Sequence, residues 1–215
     1  MEFPVKVLVA YLLGSIVGSL VVGRLWGGVD IRKLGSGNAG GTNALRTQGP
    51  AFAVWVFVID IAKGWVAAAL LPGLTIPGIA PSSAALAAWL PPACAFAAIL
   101  GHVFPVWHGF RGGKGVATLV GAFAGIDLWL LVPLFASWLA VVTVSGFVGL
   151  ASIIAAFAIP IYLVLRDGAV MTPVLGFALA CAALVAYTHR ANVRGMRAGT
   201  EPRARRLWLF GRGRA

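Results

Sequence analysis

The sequence predicts an all-α polytopic membrane protein, and three observations carry this prediction. Of the 215 residues, 60% are hydrophobic and only 11% are charged, against about 25% charged in ordinary soluble domains. The mean hydropathy is +0.93. Apolar runs near the length of a membrane-spanning helix recur along the chain. Because such a chain cannot cover a water-facing surface, its net charge of +11 is not taken as a sign of nucleic-acid binding.

Three spans are predicted in the first half of the chain, at residues 3–25, 51–71 and 84–100. The first contains glycines that let helices approach closely, and it is too long for a secretory signal and lacks a cleavage site. The third contains Pro91-Pro92, which we expect to kink it because proline removes a backbone hydrogen bond inside a helix. The loop at 72–83 carries no charge.

The second predicted span contains two ionisable residues, Asp60 and Lys63, at helical i, i+3 spacing. Ionisable residues inside a span are costly and usually face the protein interior or water. Two interpretations follow. The residues form an ion pair that ties helices together, or they act near a functional site.

The second half of the chain begins with an apolar stretch, Gly115 to Pro160, that is too long for one span of about 20 residues. Glycine and polar residues interrupt it at 125–127 and 143–146. We therefore predict helices at 115–125, 128–144 and 148–165, and a last span at 169–187. The first of these is short and is expected to be half-buried. The predicted total is about seven transmembrane helices.

The distribution of basic residues predicts the orientation, because short cytoplasmic loops carry an excess of Lys and Arg. Basic residues concentrate in segments 24–49, 101–114 and 188–215, and eight of the seventeen are arginines after His189. We therefore predict an N-terminus outside and a cytoplasmic C-terminus. The loop at 143–147 should also be cytoplasmic, although it carries no charge.

We expect residues 1–215 to form a single integral-membrane domain with a basic cytoplasmic tail at 203–215, held near anionic lipid. The two cysteines, Cys94 and Cys181, lie inside apolar runs and form no metal-binding pattern. No metal and no cofactor are predicted.

The first of three polar segments lies between Gly35 and Gly49. Its polar and glycine residues are the types that bind phosphate oxygens through hydroxyls, amides and backbone N–H groups. They are Ser36, Gly37, Asn38, Thr42, Asn43 and Arg46. The same residue types are common in ordinary surface loops, and Arg46 could instead anchor to lipid headgroups.

The second polar segment, Gly101 to Thr118, contains a glycine run around Lys114 that leads into an apolar helix. A glycine-rich turn that opens a helix directs backbone N–H groups at an anion, so Gly112, Gly113 and Lys114 are candidates for binding phosphate. A membrane-flanking loop with two basic residues is the alternative. The segment lacks the GxxxxGK[ST] spacing of a nucleotide-binding loop.

The third polar segment, Thr188 to Pro202, places His189 and Asn192 at i, i+3, where they could share one helix face. A histidine suits acid–base work near neutral pH, although a histidine at a helix end can also simply contact the helix dipole. Glu201 is the only acidic residue of the tail, and we expect it to order neighbouring arginines.

Together the three segments resemble the motifs of the bacterial membrane glycerol-3-phosphate acyltransferases that use acyl-phosphate as donor, the PlsY family. The first motif is matched by Gly35-Ser36-Gly37-Asn38, Thr42-Asn43, Leu45-Arg46-Thr47 and Gly49, then Asp60, Lys63 and Gly64. The second is matched by Gly101-His102, Phe104-Pro105-Val106 and Gly112-Gly113-Lys114-Gly115-Val116-Ala117-Thr118. The third is matched by His189, Asn192, Gly199, Thr200 and Glu201. The resemblance spans essentially the whole chain and departs from the pattern at Gly41 and Gly195.

The resemblance implies transfer of an acyl group from acyl-phosphate to the 1-hydroxyl of sn-glycerol 3-phosphate. The products would be 1-acyl-sn-glycerol 3-phosphate (lysophosphatidic acid) and phosphate, in the first acylation of phospholipid synthesis. The protein would be a multi-pass protein of the bacterial cytoplasmic (inner) membrane with its active site on the cytoplasmic face. Its partners would be the two substrates, membrane lipids and a soluble enzyme that makes acyl-phosphate.

The resemblance also implies roles for the candidate residues. Ser36 and His189 would be catalytic. His189 would orient the attacking hydroxyl or take its proton, and a substrate phosphate is the alternative proton acceptor. The remaining candidates would bind substrate: Gly37, Asn38, Thr42, Asn43, Arg46, Gly112, Gly113, Lys114 and Asn192.

Two other classes of function fit parts of the sequence less well. A transporter for a phosphorylated anion would use the same basic and glycine residues, but the basic residues cluster at one predicted face and no inverted repeat is evident. No histidine is followed by an aspartate five positions on, so the His-x4-Asp chemistry of acyl-CoA transferases is disfavoured.

Overall fold

The computed structural model describes residues 2–168 and 170–211, and all regular structure in that part of the chain is helical. Two compact units are formed, Met1–Asp127 and Leu128–Ala215. The predicted start of the last span, Ala169, and the last four residues of the predicted tail, 212–215, lie outside the described residues.

Seven α-helices form the first unit, and their order follows the predicted spans with shifted ends. They are α1 (Glu2–Gly14), α2 (Gly18–Leu25), α3 (Gly41–Gln48), α4 (Pro50–Trp65), α5 (Ala84–Ala87), α6 (Leu90–Val103) and α7 (Val116–Ile126). A π-helical turn, Val66–Leu70, extends α4. The predicted span at 84–100 is interrupted at 88–89, and Pro91 and Pro92 lie in the first turn of α6, just after this break. Proline is tolerated there because the first backbone N–H groups of a helix have no partner within it.

The predicted first span is a pair of helices, α1 and α2, that meet at an angle of 45°. Gly14 lies so close to α6 that a Cβ on it would overlap the backbone of Ala98. The break leaves backbone groups without helical partners, and α4 supplies them. Nζ of Lys63 donates to the carbonyls of Gly14 at 2.9 Å and Ile16 at 2.7 Å, while Oδ1 of Asp60 accepts from the N–H of Gly18 at 3.0 Å.

Glycines bring α4 and α7 almost into backbone contact. A Cβ on Gly64 would overlap the carbonyl oxygen of Thr118, and a Cβ on Gly121 would overlap that of Ile61. Such close approach is typical of helix packing in membranes, where association depends on van der Waals contact. It fixes the position of α7, whose first turn follows the glycine-rich segment.

In its described residues, 128–168 and 170–211, the second unit contains four α-helices. They are α8 (Leu131–Ser145), α9 (Val148–Asp167), α10 (Pro173–Thr188) and α11 (Arg190–Arg197). Thr172 caps α10, since its Oγ1 accepts from the N–H of Leu175 at 3.1 Å. The helices α10 and α11 meet at 50°. The predicted helices at 128–144 and 148–165 correspond closely to α8 and α9.

Among the described residues, four helical segments are long and apolar enough to cross a membrane: Pro50–Gly73, Leu90–His108, Leu128–Ser145 and Val148–Asp167. The bent pairs α1–α2 and α10–α11 raise the number to six if each counts as one span, and α7 is shorter. The prediction of an all-helical protein with several spans is confirmed. The count of seven and the orientation of the termini stay predictions.

The close approach of α4 and α7 gives a stability prediction. Gly64→Ala should lower the free energy of unfolding by about 1–3 kcal/mol, because the added methyl group must push the backbone of α7 away. Thermal unfolding in detergent micelles measures the effect. Gly73→Ala is the matched control, since a Cβ at Gly73 meets no atom within 4 Å. Equal melting temperatures for the two variants would contradict the packing.

Candidate active site

The side chain of Asn43 organises the first polar segment. Its Nδ2 lies 3.0 Å from the carbonyl oxygens of Ile31, Leu34 and Asn38, and its Oδ1 accepts from the N–H of Ser36 at 3.0 Å. Only 3% of Asn43 is exposed. These contacts favour a framework role for Asn43 over the predicted contact with substrate.

Two glycines make this arrangement possible. Gly35 has a φ of +56° and Gly37 a φ of +72°, a region in which residues with a Cβ are strained. A Cβ on Gly35 would also overlap Oδ1 of Asn43. The chain therefore turns tightly around the asparagine amide. Ser36, Gly37, Thr42 and Arg46 remain exposed, and Asn38 is half-buried.

The second polar segment is anchored to the end of α6. The N–H of Gly112 donates to the carbonyl of Val103 at 3.2 Å, and the N–H of Gly113 donates to that of His102 at 3.1 Å. The predicted use of these two N–H groups for phosphate is therefore wrong. Both glycines are needed for close packing, since a Cβ on Gly112 would overlap the carbonyl of His102 and one on Gly113 would overlap its Nε2.

The N-terminus of α7 lies one step further along the chain. Gly115, with a φ of +84°, is the N-cap residue of α7. Its carbonyl accepts the first helical hydrogen bond from the N–H of Leu119 at 2.8 Å. The N–H groups of Val116, Ala117 and Thr118 thus lie in the first turn, where a helix favours negative charge. Lys114 precedes Gly115 and is half-buried.

A buried cluster of three ionisable residues supports this segment. Nζ of Lys63 lies 2.9 Å from Oδ1 of Asp60 and 2.9 Å from Nδ1 of His102, and Nδ1 of His102 lies 3.2 Å from the same carboxylate oxygen. All three residues are buried. The interpretation of Asp60 and Lys63 as an ion pair that ties helices together is confirmed. The participation of His102 was missed, although its place in an apolar run close to a glycine-rich segment was visible in the sequence.

Arg32, which lies three residues before the first polar segment, contacts the second polar segment. One of its terminal nitrogens lies 3.2 Å from the carbonyl oxygens of both His108 and Arg111. The other pairs with Asp30 at 2.8 Å, and the hydrogen bond from Arg32 lowers the pKa of Asp30 below its usual range. These contacts bring the chain just before the first polar segment against the second segment. Asp30 and Arg32 were missed as site residues, although they lie at i, i+2 spacing just before the first polar segment.

The third polar segment belongs to the second unit and is built around the bend between α10 and α11. His189 occupies the bend, is buried, and has its Nδ1 at 2.9 Å from the carbonyl of Val185. A ring that donates from Nδ1 carries its basic lone pair on Nε2. His189 is the N-cap residue of α11, and its side chain makes no capping hydrogen bond. That its side chain shares a helix face with Asn192 stays a prediction.

Asn192 is held between two other elements of the second unit. Its Nδ2 donates to Oε1 of Glu201 at 2.7 Å. On α9, a Cβ added to Gly149 would lie 2.9 Å from Cβ of Asn192. The expectation that Glu201 orders neighbouring arginines is therefore wrong, because its carboxylate fixes the Asn192 amide. The convergence of this segment with the first two stays a prediction.

Comparison with known proteins agrees with the three motifs. A family model described as glycerol-3-phosphate acyltransferase matches residues 5–199. The chain belongs to this family. Among curated glycerol-3-phosphate acyltransferases, that of Bordetella pertussis is 42% identical over 92% of this chain and 89% of its own. That of Coxiella burnetii is 36% identical over 95% of this chain and 100% of its own.

A solved structure of PlsY (YgiH), an integral membrane glycerol 3-phosphate acyltransferase in its glycerol 3-phosphate form, is similar to nearly the whole of this chain. The TM-score is 0.81 at 34% identity, covering 94% of this chain and 96% of that one. A second structure, of the lysophosphatidic acid form, gives a TM-score of 0.79. The resemblance drawn from the motifs is confirmed. The family model ends at residue 199, so Glu201 and the segment after it lie beyond the match.

The contacts of Asn43 lead to a prediction about the first segment. Asn43→Ala should destabilise the protein by about 1–3 kcal/mol, because buried backbone groups lose their partner, and it should disorder the loop that presents Ser36. Thermal unfolding and activity are measured together. Thr42→Ala is the control for stability, because Thr42 is exposed in the same helix. If both variants unfold at the wild-type temperature, Asn43 is not the framework of the loop.

Proposed function

We propose that the protein transfers the acyl group of acyl-phosphate to the 1-hydroxyl of sn-glycerol 3-phosphate, producing lysophosphatidic acid and phosphate. The observation that carries the proposal is the match of nearly the whole chain to PlsY (YgiH), whose structures are described as glycerol 3-phosphate and lysophosphatidic acid forms. Lysophosphatidic acid is glycerol 3-phosphate with one acyl chain. The two ligands named for that relative are thus the acceptor and the product of a single acylation.

The charge of the first unit supports a phosphate-bearing donor. Both substrates would carry a phosphate. Arg46 and Lys114 supply positive charge, and the first turn of α7 offers N–H groups. Acyl-phosphate is an activated mixed anhydride, so catalysis can depend on positioning and on stabilising negative charge. The absence of a His-x4-Asp pair from the sequence fits this donor better than acyl-CoA.

The reaction then needs one bond to form and one to break. The 1-hydroxyl oxygen attacks the acyl carbonyl carbon, and the bond from that carbon to the phosphate oxygen breaks. Ser36 would donate to a phosphate or to the developing oxyanion, and Asn192 would orient glycerol 3-phosphate. The hydroxyl proton passes to His189 or to a phosphate oxygen. The hydrogen bond from Nδ1 of His189 to Val185 would direct Nε2 at the hydroxyl.

The proposed setting is the bacterial cytoplasmic membrane, with the site on its cytoplasmic face. The apolar helices support a membrane location, and the concentration of basic residues in three polar segments supports the side. A soluble enzyme that makes acyl-phosphate is the proposed partner. An amphipathic donor suits a site at the membrane surface.

A comparison of donors tests this function. Purified protein in defined bilayers receives glycerol 3-phosphate with acyl-phosphate, acyl-CoA or acyl-carrier protein. We expect lysophosphatidic acid and an equal amount of phosphate only when acyl-phosphate is the donor. Product from acyl-CoA at a comparable rate would overturn the donor assignment. Transport of glycerol 3-phosphate into vesicles without any acylation would overturn the enzyme assignment.

The part played by His189 is testable by a single substitution. We expect His189→Gln to retain much of the activity, because the amide can still hydrogen-bond the hydroxyl, and kcat to show no histidine-like titration. His108→Gln is the matched control, since no substrate contact is proposed for His108. A fall in kcat of roughly 10²–10⁴, with a wild-type rate that rises through a histidine-like pKa, would instead make His189 the base.

A further inference from the structure

The C-terminal segment 203–211 folds back onto the loop between α8 and α9. The guanidinium of Arg203 lies 4.6 Å from the ring centre of Phe147 and 4.1 Å from that of Trp208. The N–H of Ala204 donates to the carbonyl of Gly146 at 2.8 Å, and Nε1 of Trp208 donates to that of Val144 at 3.1 Å. We call these contacts, made by Arg203, Ala204 and Trp208, the C-terminal clamp.

The loop is shaped to receive the clamp. Gly146 ends α8 with a φ of +76°, and a Cβ on it would lie 3.0 Å from Trp208 and 3.2 Å from Arg203. The same loop leads directly into the first turn of α9, where Gly149 packs against Asn192. The clamp and Asn192 therefore both pack against the segment that joins α8 to α9. The clamp also places an arginine on a loop that has no charge of its own.

Glu201 is tethered between α11 and the clamp. The N–H groups of Thr200 and Glu201 donate to the carbonyl of Gly195 at 2.9 and 3.1 Å, which closes the end of α11. Only Pro202 and Arg203 separate Glu201 from Ala204, and proline restricts the backbone further. The carboxylate that holds the Asn192 amide is thus fixed from both sides.

We propose that Arg203 and Trp208 are positioning residues for the proposed acyl transfer, acting through Glu201 on Asn192. The inference rests on the proposed function, since Asn192 is there assigned to glycerol 3-phosphate. An arginine close to two aromatic rings is held by cation–π attraction to both. The hydrogen bonds from Ala204 N–H and Trp208 Nε1 to backbone carbonyls hold the segment on the loop. The clamp lies beyond residue 199, where the family model ends.

Two matched pairs of variants test the clamp in kinetics. Trp208→Ala and Arg203→Ala should raise KM for glycerol 3-phosphate about two- to tenfold, with kcat nearly unchanged, because only binding geometry is lost. Phe210→Ala and Arg205→Ala are the controls, since both side chains lie in the same segment, are exposed and make none of the clamp contacts. Trp208→Phe keeps the stacking and should restore most of the affinity.

A double variant separates positioning from general stabilisation. If the clamp acts through Glu201, Trp208→Ala should raise KM no further in a Glu201→Ala background, where Asn192 has lost this acceptor. Multiplied effects of the two substitutions would overturn the proposal. Equal KM values for Trp208→Ala and Phe210→Ala would overturn it as well.

Hydrogen exchange gives a readout that is independent of turnover. Trp208→Ala should speed amide exchange in residues 195–202, while Phe210→Ala leaves it at the wild-type rate. Unchanged exchange in Trp208→Ala would overturn the proposed positioning role of the clamp, whatever the activity of the variant. A wild-type protein that releases no phosphate would count against the proposed function alone.

Discussion

The ion pair of Lys63 and Asp60 is the constraint on which the first unit depends. The chain breaks between α1 and α2 within an apolar interior, where backbone groups without partners are costly. The ammonium and the carboxylate satisfy both sides of that break, and their own burial is compensated by each other. Removing either charge would leave the other buried and unpaired, which is strongly destabilising. The ion pair and the break in the helix therefore depend on each other.

His102 carries this constraint to the candidate site. Its ring lies against the ion pair, while its carbonyl holds Gly113 and its Nε2 leaves no room for a side chain there. The conformation of the segment that presents Lys114 is thus set from inside the membrane-spanning part of the unit. Asn43 does the same for the first segment with a neutral amide. In both cases a buried polar side chain shapes a loop whose neighbours are exposed.

Much of this could be predicted, because the signals are local. Apolar runs located α4, α8, α9 and α10 within a few residues, and three motifs identified the family. The predictions that the structure corrects failed for one physical reason. Gly112 and Gly113 carry the sequence signal of an anion site, yet their N–H groups are used by α6. Glu201 is surrounded by arginines along the chain and still pairs with Asn192. Residue type restricts what a group can bind, but the choice of partner depends on which segments meet.

The sequence by itself determined that the chain is a helical membrane protein, where most of its helices lie, and which acyltransferase family it belongs to. Composition and motif spacing contain that information. Only the tertiary structure decided that the first span is bent, that His102 joins the ion pair, that Asn43 is a framework residue and that the C-terminal segment grips the α8–α9 loop. Each of these depends on contacts between residues distant in the chain, where hydrogen-bond geometry and the space left by glycines select the partner.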